Sequence, residues 1–244
     1  ILLSGIPSET PLDLVRQRLD EMGEPYAVFH QRRFEEIDLQ FEVADGLVHG
    51  ELRLGREVFG LEEFTGVYTR LMDDQQLPEL RLESPDSPRR NWCRSLHEAL
   101  TRWQEITPAR VVNRIAPMGS NSSKPYQAQL IQGHGFRTPE ILVTSDPELV
   151  REFQARQGSE GKLIYKSISG TRSIVQTLGD ADLDRLERIR WCPVQFQAYV
   201  EGQNVRVHTI GGEVFATAIH SEAIDYRYAR RQVGDAAELS ATRL

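Results

Sequence analysis

The chain of 244 residues has only two cysteines and no excess of positive charge. Cys93 and Cys192 lie far apart and form no CxxC pair, so the sequence favours neither a zinc site nor a disulfide framework. The formal net charge of −7 gives no electrostatic reason to expect binding to nucleic acid or to an anionic membrane. We therefore expect a protein of the reducing cytoplasm whose basic residues act at local sites.

Long apolar runs and a Walker-type phosphate loop are also missing. The opening run, ILLSGI, is too short to span a bilayer and lacks the basic residues of a signal peptide, so we interpret it as a buried first strand. The pattern GxxxxGK[ST] does not occur, which excludes that cradle for a phosphate. The sequence starts with Ile1 rather than Met, and we expect further residues before it.

Predicted helices alternate with short β-rich runs, which indicates an α/β architecture. The first strand precedes a helix for which Thr10 is the candidate cap, with Pro11 at its first position and Gly23 past its end. Alternating runs around Ala44-Asp45-Gly46 predict a hairpin. The segment LPELRLESPDSPRR is predicted to be an exposed linker before the helix NWCRSLHEALTRWQEI. We place domain boundaries near residues 115 and 200.

The same alternation continues from ARVVNRI onward. The predicted helices are SKPYQAQLIQGHG, DPELVREFQARQG and DADLDRLERIR, and the predicted strands are EILVT, KLIYKSI, SIVQTL, VQFQAYV, NVRVHTI and EVFATAI. Gly211-Gly212 forms the turn before the last of these strands, and IDYRY is predicted to be strand-like. No helix is predicted between VQFQAYV and EVFATAI, so these three strands follow one another directly.

Lys124 lies at the start of a predicted helix, after a loop rich in Ser, Asn and Gly. Free backbone N–H groups and a lysine at a helix start favour an anion such as phosphate. A lysine in a first helical turn is also commonly a solvated surface residue. This feature alone therefore leaves both interpretations open.

Lys166 shares one face of a predicted strand with Ile164, and the other positions of that strand are largely apolar. Such a lysine needs a counter-charge or an anionic ligand, or it extends to the surface. The loop that follows, SGTRS, offers Gly170, hydroxyl groups and Arg172, and could cover a polyphosphate. An ordinary hairpin turn has the same composition, and the pattern does not decide between the two.

Asn204, Arg206 and His208 share one face of the predicted strand NVRVHTI, and its other face is mostly apolar. A solvated sheet face explains this pattern without any ligand. Asp225 and Arg227 follow soon afterwards, however, so two arginines and a carboxylate could converge on one cleft.

The order of these features resembles the ATP-grasp superfamily: a helix-start lysine, a strand lysine about forty residues later, then QAYV, NVR and DYR. The closest resemblance is to the RimK-type, ribosomal-protein glutamate ligase branch of carboxylate-amine ligases, over residues from about 110 to 228. The resemblance implies an α/β fold with a Rossmann-like pre-ATP-grasp domain (1–115) that includes GVYTR. ATP-grasp subdomain 1 (116–200) follows, and then the start of ATP-grasp subdomain 2 (201–244), which we expect to be truncated at its C-terminus.

The resemblance also implies a nucleotide-binding role for each matching position. Lys124 and Lys166 match the two lysines that hold the nucleotide phosphates. The stretch Gln197-Ala198-Tyr199-Val200 matches the hinge whose backbone groups bind the adenine edge. Asn204 matches a position, usually aspartate, that reaches the ribose hydroxyls, and an amide can still accept that hydrogen bond.

Two arginines match the catalytic positions of the family. Arg206 follows Asn204 as the arginine follows in the family's D-I-R, and Arg227 in DYR matches the arginine near the phosphate end, where it could stabilise charge in transfer. The mechanism implied by the resemblance needs no catalytic triad. We therefore interpret His208 as a surface residue and His220 as a polar neighbour of the phosphates.

Two departures from the family pattern concern the phosphate loop and the metal. The stretch ISGTRSIV carries fewer glycines than the family's covering loop, which puts the closure of the loop and the role of Arg172 in doubt. The family's metal ligands, an Asp followed by Glu-x-Asn, do not occur before Leu244. We expect them in a later segment outside this sequence, and the alternative is a nucleotide-binding protein without turnover.

The resemblance implies an ATP- and Mg²⁺-dependent ligase that joins a carboxylate to an amine or a hydroxyl through an acyl phosphate. Its substrate is expected to be a peptide, a protein or an amino acid, and a homo-oligomer is possible because relatives are often dimers or tetramers. Two alternatives stay open: a catalytically inactive module that binds ATP or a partner, and an α/β protein whose lysines are structural.

Overall fold

The computed structural model describes residues 1–157, 162–168 and 174–243. The chain folds into two compact units, Ile1–Gly119 and Ser120–Leu244. The predicted finer division near residue 200, within the second unit, stays a prediction. Among the described residues no helix is long and apolar enough to cross a membrane.

The N-terminal unit combines a parallel sheet with an antiparallel hairpin sheet. Its strands are β1 (Leu2–Gly5), β2 (Ala27–His30), β3 (Ile37–Ala44), β4 (Leu47–Leu54), β5 (Glu57–Gly60), β6 (Gly66–Thr69) and β7 (Arg110–Val112), and its helices are α1 (Thr10–Met22), α2 (Pro88–Ile106) and α3 (Ile115–Met118). The parallel sheet has the order β2-β1-β6-β7, and β3-β4-β5 form the antiparallel sheet. This arrangement confirms the predicted α/β fold class.

Local sequence explains the ends of these elements. Gly23 has a φ of 71° and closes α1 in the left-handed region, as expected. The N-cap of α1 is Glu9, one residue before the predicted Thr10, and its side chain makes no capping hydrogen bond. Asp45 and Gly46, with φ of 52° and 77°, form the two-residue turn between β3 and β4, which confirms the predicted hairpin.

The segment predicted to be an exposed linker is instead anchored in the core. Leu77 and Leu80 are completely buried, and the Arg90 guanidinium donates to the carbonyl of Leu80. The predicted exposure holds for the middle of the segment, where Leu82 is 99% exposed, and is wrong for its ends. Pro, Ser and charged residues dominate the composition, whereas two leucines decide where the segment packs. Ser87 then caps α2 by accepting a hydrogen bond from the Arg90 N–H at 3.1 Å.

The C-terminal unit contains two antiparallel sheets. Its strands are β8 (Ile141–Thr144), β9 (Leu163–Ser167), β10 (Gln176–Thr177), β11 (Val194–Ala198), β12 (Asn204–Ile210), β13 (Glu213–His220) and β14 (Glu238–Thr242), and its helices are α4 (Lys124–Gly133), α5 (Pro147–Arg156), α6 (Asp180–Leu183) and α7 (Ala229–Gln232). The first sheet has the order β10-β9-β11-β8 and the second β12-β13-β14.

Three predictions for this unit need correction. The strand-like IDYRY is a 3₁₀ turn over Tyr226–Tyr228, because Asp225 accepts the Arg227 N–H and caps it. The predicted helix DADLDRLERIR divides into α6 and a 3₁₀ segment over Leu186–Trp191. The strand β14 was not predicted, and the same holds for β2 and β5 of the N-terminal unit.

Candidate functional site

The sheet β10-β9-β11-β8 has one apolar face and one face with polar side chains. Leu142, Tyr165 and Phe196 pack with the core residues Val150 and Phe153. Alternation therefore turns the neighbouring positions to the opposite face, where Lys166 pairs with Gln195 in register and Ile164 pairs with Gln197. We call this surface the polar face; its members are Ile141, Val143, Ile164, Lys166, Gln195 and Gln197.

Lys166 lies half-buried on the polar face, in the middle of its sheet. Its Nζ lies 3.4 Å from Gln197 Oε1. Burial lowers the pKa of Lys166, and the positive charges of Lys124 and Arg227 lower it further. Both cations are therefore close enough to act on it, although they come from distant parts of the sequence. The charges of the described residues that act on Lys166 in this way are both positive.

Lys124 is the first residue of α4, where the sequence predicted a helix start. Ser123 caps the helix by accepting a hydrogen bond from the Tyr126 N–H, and Pro125 follows in the first turn. The Lys124 Nζ lies 3.5 Å from Gln127 Oε1, which is its neighbour one turn along. The ammonium is thus held by an uncharged side chain and remains available to an anion.

The predicted hinge begins at the end of β11. The Ala198 N–H donates to the Glu140 carbonyl at 3.0 Å and the Tyr199 N–H to the Lys162 carbonyl at 3.1 Å. The Lys162 ammonium lies 3.8 Å from the centre of the Tyr199 ring, which fixes that side chain. Within the described ranges, the Val200 N–H has no hydrogen-bond partner. Val200 is therefore the backbone donor that this hinge leaves free for a base.

Asn204 and Arg206 share one face of β12, as predicted. Asn204 also lines a cleft of about 930 Å³ together with His220, Glu222, Asp235 and Glu238. The His220 ring contacts Gln203 Nε2 at 3.3 Å and Ser240 Oγ at 3.0 Å, and His208 is exposed. Neither histidine is paired with a carboxylate in these contacts. The interpretation of His208 as a surface residue and of His220 as a polar neighbour of the phosphates stays a prediction.

Arg227 lies in the 3₁₀ turn that comes after β13, and Arg206 contacts the same turn. The Arg206 Nη1 donates to the Tyr226 hydroxyl at 3.1 Å, and the Arg227 Nη2 lies 2.6 Å from Asp225 Oδ2. Burial opposes ionisation of Asp225, but hydrogen bonds from Arg227 and from the Val175 N–H, with the charge of Arg227, outweigh it and lower the pKa of Asp225. Asp225 is therefore a carboxylate that orients Arg227.

Gln232 completes this network and was missed by sequence reasoning. Its Oε1 accepts from the Asp225 N–H at 2.9 Å, and its Nε2 donates to the Val175 carbonyl at 3.1 Å. Val175 is the second described residue after position 173, so α7 is tied to the start of this described range. The predicted contributions of Gly170 and Arg172 lie outside the described residues.

The structure therefore brings Lys124, Lys166 and Arg227 together and joins Arg206 to the same turn. It shows no direct contact between Asn204 and these cations. Gln195, on the polar face beside Lys166, was also missed, although the alternation in VQFQAYV could have placed it there. The individual roles of all these residues stay predictions.

The residues described above do not provide a binding site for a metal ion. In the ranges that the structure describes, no group of three or more His, Cys, Asp or Glu side chains is arranged to hold a metal ion. The expected metal ligands are thus not among the described residues, and no chemical step is assigned to a metal.

Among the comparisons with known proteins, the one with solved structures gives matches. No protein-family model and no curated protein matches the chain. Among solved structures, a RiPP-associated ATP-grasp ligase of Chryseobacterium gregarium, in complex with ADP and a leader and core peptide, is 19% identical with a TM-score of 0.79, over 100% of this chain and 76% of that one.

Two further solved structures are similar. The ATP-grasp ligase PsnB, complexed with a minimal precursor, Mg and ADP, is 27% identical with a TM-score of 0.73, and the match covers 100% of this chain and 75% of that one. The macrocyclase MdnC from Microcystis aeruginosa MRC, bound with the precursor peptide MdnA, is 22% identical with a TM-score of 0.73, over 100% and 78%.

These neighbours are ligases and a macrocyclase, which agrees with the prediction of an ATP-dependent ligase. The presence of Mg and ADP in one of them agrees with the predicted cofactors ATP and Mg²⁺. The chain therefore has the ATP-grasp fold, and its predicted resemblance to the ATP-grasp superfamily is confirmed.

Proposed function

We propose that the chain binds ATP on the polar face and is an ATP-dependent ligase that joins a carboxylate to an amine or a hydroxyl. The observation that supports this most strongly is the convergence of Lys124 and Arg227 on the half-buried Lys166. Arg227 is already paired with Asp225, but Lys124 and Lys166 contact the uncharged side chains of Gln127 and Gln197 in the described structure. A polyphosphate supplies the negative charge that these two lysines lack. A purely structural role for Lys166 offers no reason for such an arrangement.

The proposed reaction has two steps. A substrate carboxylate oxygen attacks the γ-phosphorus of ATP, the bond from the γ-phosphorus to the bridging oxygen breaks, and ADP leaves with an acyl phosphate formed. An amine or hydroxyl then attacks the acyl carbon, loses its proton and expels inorganic phosphate. The protein supplies positioning and charge neutralisation rather than a nucleophile.

Each residue has a proposed part in this scheme. Lys124 and Lys166 hold the phosphates, the Val200 N–H donates to the adenine edge, and Asn204 reaches the ribose. Arg227, held by Asp225 through the 2.6 Å ion pair, neutralises charge at the transferring phosphoryl group. Arg206 contacts the same turn through the Tyr226 hydroxyl and helps Arg227 to neutralise the negative charge of the transferring phosphoryl group.

Mg²⁺ would neutralise further phosphate charge when bound with ATP. Its protein ligands are not among the described residues, so the scheme assigns no side chain to it.

The substrate is proposed to be a peptide. Support comes from the neighbours, which were solved with a leader and core peptide, a minimal precursor and the precursor peptide MdnA.

Both cysteines are free, Cys93 buried and Cys192 exposed, which supports the proposed cytoplasmic location.

Calorimetric titration of Mg-ATP into the wild type and into Lys166→Met tests the proposal. The methionine keeps most of the aliphatic stem and removes the charge, and Arg188→Met, at an exposed arginine outside the proposed site, is the matched control. We expect micromolar binding that Lys166→Met weakens at least about tenfold, as for loss of a charge-assisted hydrogen bond, while the control binds as the wild type does.

Two outcomes would contradict the proposal. If the folded wild type binds no Mg-ATP, the proposed nucleotide site is wrong. If the wild type binds Mg-ATP but releases no ADP with a peptide that carries both a carboxylate and an amine, the nucleotide site stands and the ligase activity is wrong. That result favours the inactive ATP-binding module.

A further inference from the structure

Gln195 is a buried glutamine whose amide is paired with nothing. It lies in the middle of β11 with 0% of its surface exposed, and neither Oε1 nor Nε2 has a hydrogen-bond partner. Other buried polar side chains in the described ranges leave a single atom unpaired. Gln195 alone among them leaves two atoms unpaired, the donor Nε2 and the acceptor Oε1.

An unpaired buried amide is costly, because its groups lose their hydrogen bonds to water and gain none in return. A leucine or methionine at this position would pack at no such cost. Buried polar atoms left unsatisfied in a folded protein therefore call for an explanation, and a ligand is one of the few available.

The position of Gln195 indicates what kind of ligand this is. It pairs in register with Lys166 on one side and with Val143 on the other. It shares the polar face with Gln197, which starts the proposed hinge. The amide thus lies beside the proposed phosphate lysine, two residues before the start of the proposed base-binding hinge.

The two hydrogen-bonding groups narrow the ligand further. A phosphate offers acceptors only and would leave Gln195 Oε1 unpaired. The N6 amino group and the N7 atom of adenine present a donor beside an acceptor, which is the pair that a glutamine amide matches in bidentate fashion. Guanine presents acceptors at both O6 and N7, so the same amide cannot satisfy it.

We propose that Gln195 reads the N6 and N7 edge of adenine and is a specificity-determining residue that selects ATP over GTP. The proposal rests on the nucleotide site proposed above. Gln195 Oε1 accepts from the N6 amino group, and Nε2 donates to N7. The hinge N–H of Val200 remains available to another edge of the base.

Access to the amide depends on the side chains around it, since Gln195 is fully covered. Lys166 is the neighbour most able to move, because its ammonium contacts only the uncharged Gln197 at 3.4 Å in the described structure. A phosphate draws that ammonium away.

The test compares Gln195→Met with the wild type. Methionine keeps the length and volume and removes both amide groups, and Gln154→Met on α5 is the matched control outside the polar face. Calorimetry with Mg-ATP and with Mg-GTP gives the selectivity, and thermal unfolding reports the fold. We expect Gln195→Met to lose about tenfold in ATP affinity with GTP affinity unchanged, and to melt no lower than the wild type. The control should change neither quantity.

The analogue 7-deaza-ATP, which lacks the N7 acceptor, provides a second measurement on the wild type. It should bind about tenfold more weakly than ATP to the wild type, and the difference should vanish in Gln195→Met. Should the methionine variant fail to fold, the wild-type comparison with 7-deaza-ATP still decides.

The outcomes separate the two proposals. Suppose that the wild type binds ATP and that Gln195→Met has the same ratio of ATP affinity to GTP affinity as the wild type. The role of Gln195 is then wrong, and the nucleotide site stands. Equal binding of ATP and 7-deaza-ATP to the wild type leads to the same conclusion. Absence of ATP binding by the folded wild type overturns the nucleotide site itself.

Discussion

The N-terminal unit and the C-terminal unit differ in what their sheets bury. In the first unit Phe29, Phe34 and Trp103 are almost completely covered, and the Trp103 ring meets Phe64 edge-on at 6.1 Å. In the second unit all seven residues of β12 are exposed, and the polar face carries a lysine and two glutamines. The sheets of the first unit thus pack against large aromatic side chains, whereas the second unit leaves β12 exposed and carries a lysine and two glutamines on its polar face.

This difference has a physical consequence for function. Burial of large apolar side chains stabilises a fold but offers little to a charged ligand. A half-buried cation such as Lys166 raises the free energy of the folded chain, because burial disfavours its charged form. A bound anion offsets this cost. Sites of this kind are where stability and activity oppose each other.

Trp103→Ala should show the largest effect, because it removes the centre of the packed unit. We expect a loss of about 3–5 kcal/mol in the free energy of unfolding, measured by urea denaturation with circular dichroism. Trp191→Ala is the matched control, since 92% of that side chain is exposed and its loss should change stability by less than about 0.5 kcal/mol. If both variants lowered the free energy of unfolding by the same amount, the contrast between the packed first unit and the exposed surface of the second would be wrong.

Asp225→Asn should destabilise the second unit by about 1–3 kcal/mol at neutral pH, because a buried carboxylate that accepts several hydrogen bonds is lost. The pKa of Asp225 is lowered in the fold from its ordinary value of 3.8. Its contribution is therefore complete above that value and is lost as the pH falls through the lower folded pKa.

The stabilities of wild type and Asp225→Asn should consequently converge in acid, as measured by urea denaturation across pH. Asp184→Asn, at an exposed aspartate, should follow the wild type at every pH. A gap between wild type and Asp225→Asn that stays constant into acid would show that the aspartate is not the ionised partner of Arg227.

Lys166 should give the smallest signal, a fraction of one proton. Its pKa is lowered by burial and by Lys124 and Arg227, and bound phosphates should raise it again. ATP binding at alkaline pH should therefore take up protons, measured as different calorimetric heats in two buffers of different ionisation enthalpy. Lys166→Met should abolish the difference, and proton release by the wild type would contradict the site.

Several parts of the fold and of the site followed from local pattern. Asp45-Gly46 between two alternating runs predicted a hairpin because positive φ at both positions suits that turn. Alternation with a period of two placed Lys166 beside Ile164 and Arg206 beside Asn204, as found.

Other parts depended on contacts between distant residues. IDYRY alternates like a strand, yet the Asp225 side chain captures its own following N–H and turns the chain. Pattern could not show that Leu77 and Leu80 bind the supposed linker to the core, because burial depends on what lies opposite.

The sequence by itself determined the α/β class, the faces of the strands, the hairpin and the identity of the candidate lysines and arginines, because these follow from periodicity and residue chemistry. Only the tertiary structure decided that Lys124 and Arg227 act on Lys166, that Asp225 and Gln232 hold the arginine turn, and that Gln195 is buried without a partner. Electrostatic interaction and burial depend on distances in space, and residues far apart in a chain acquire those distances only when it folds.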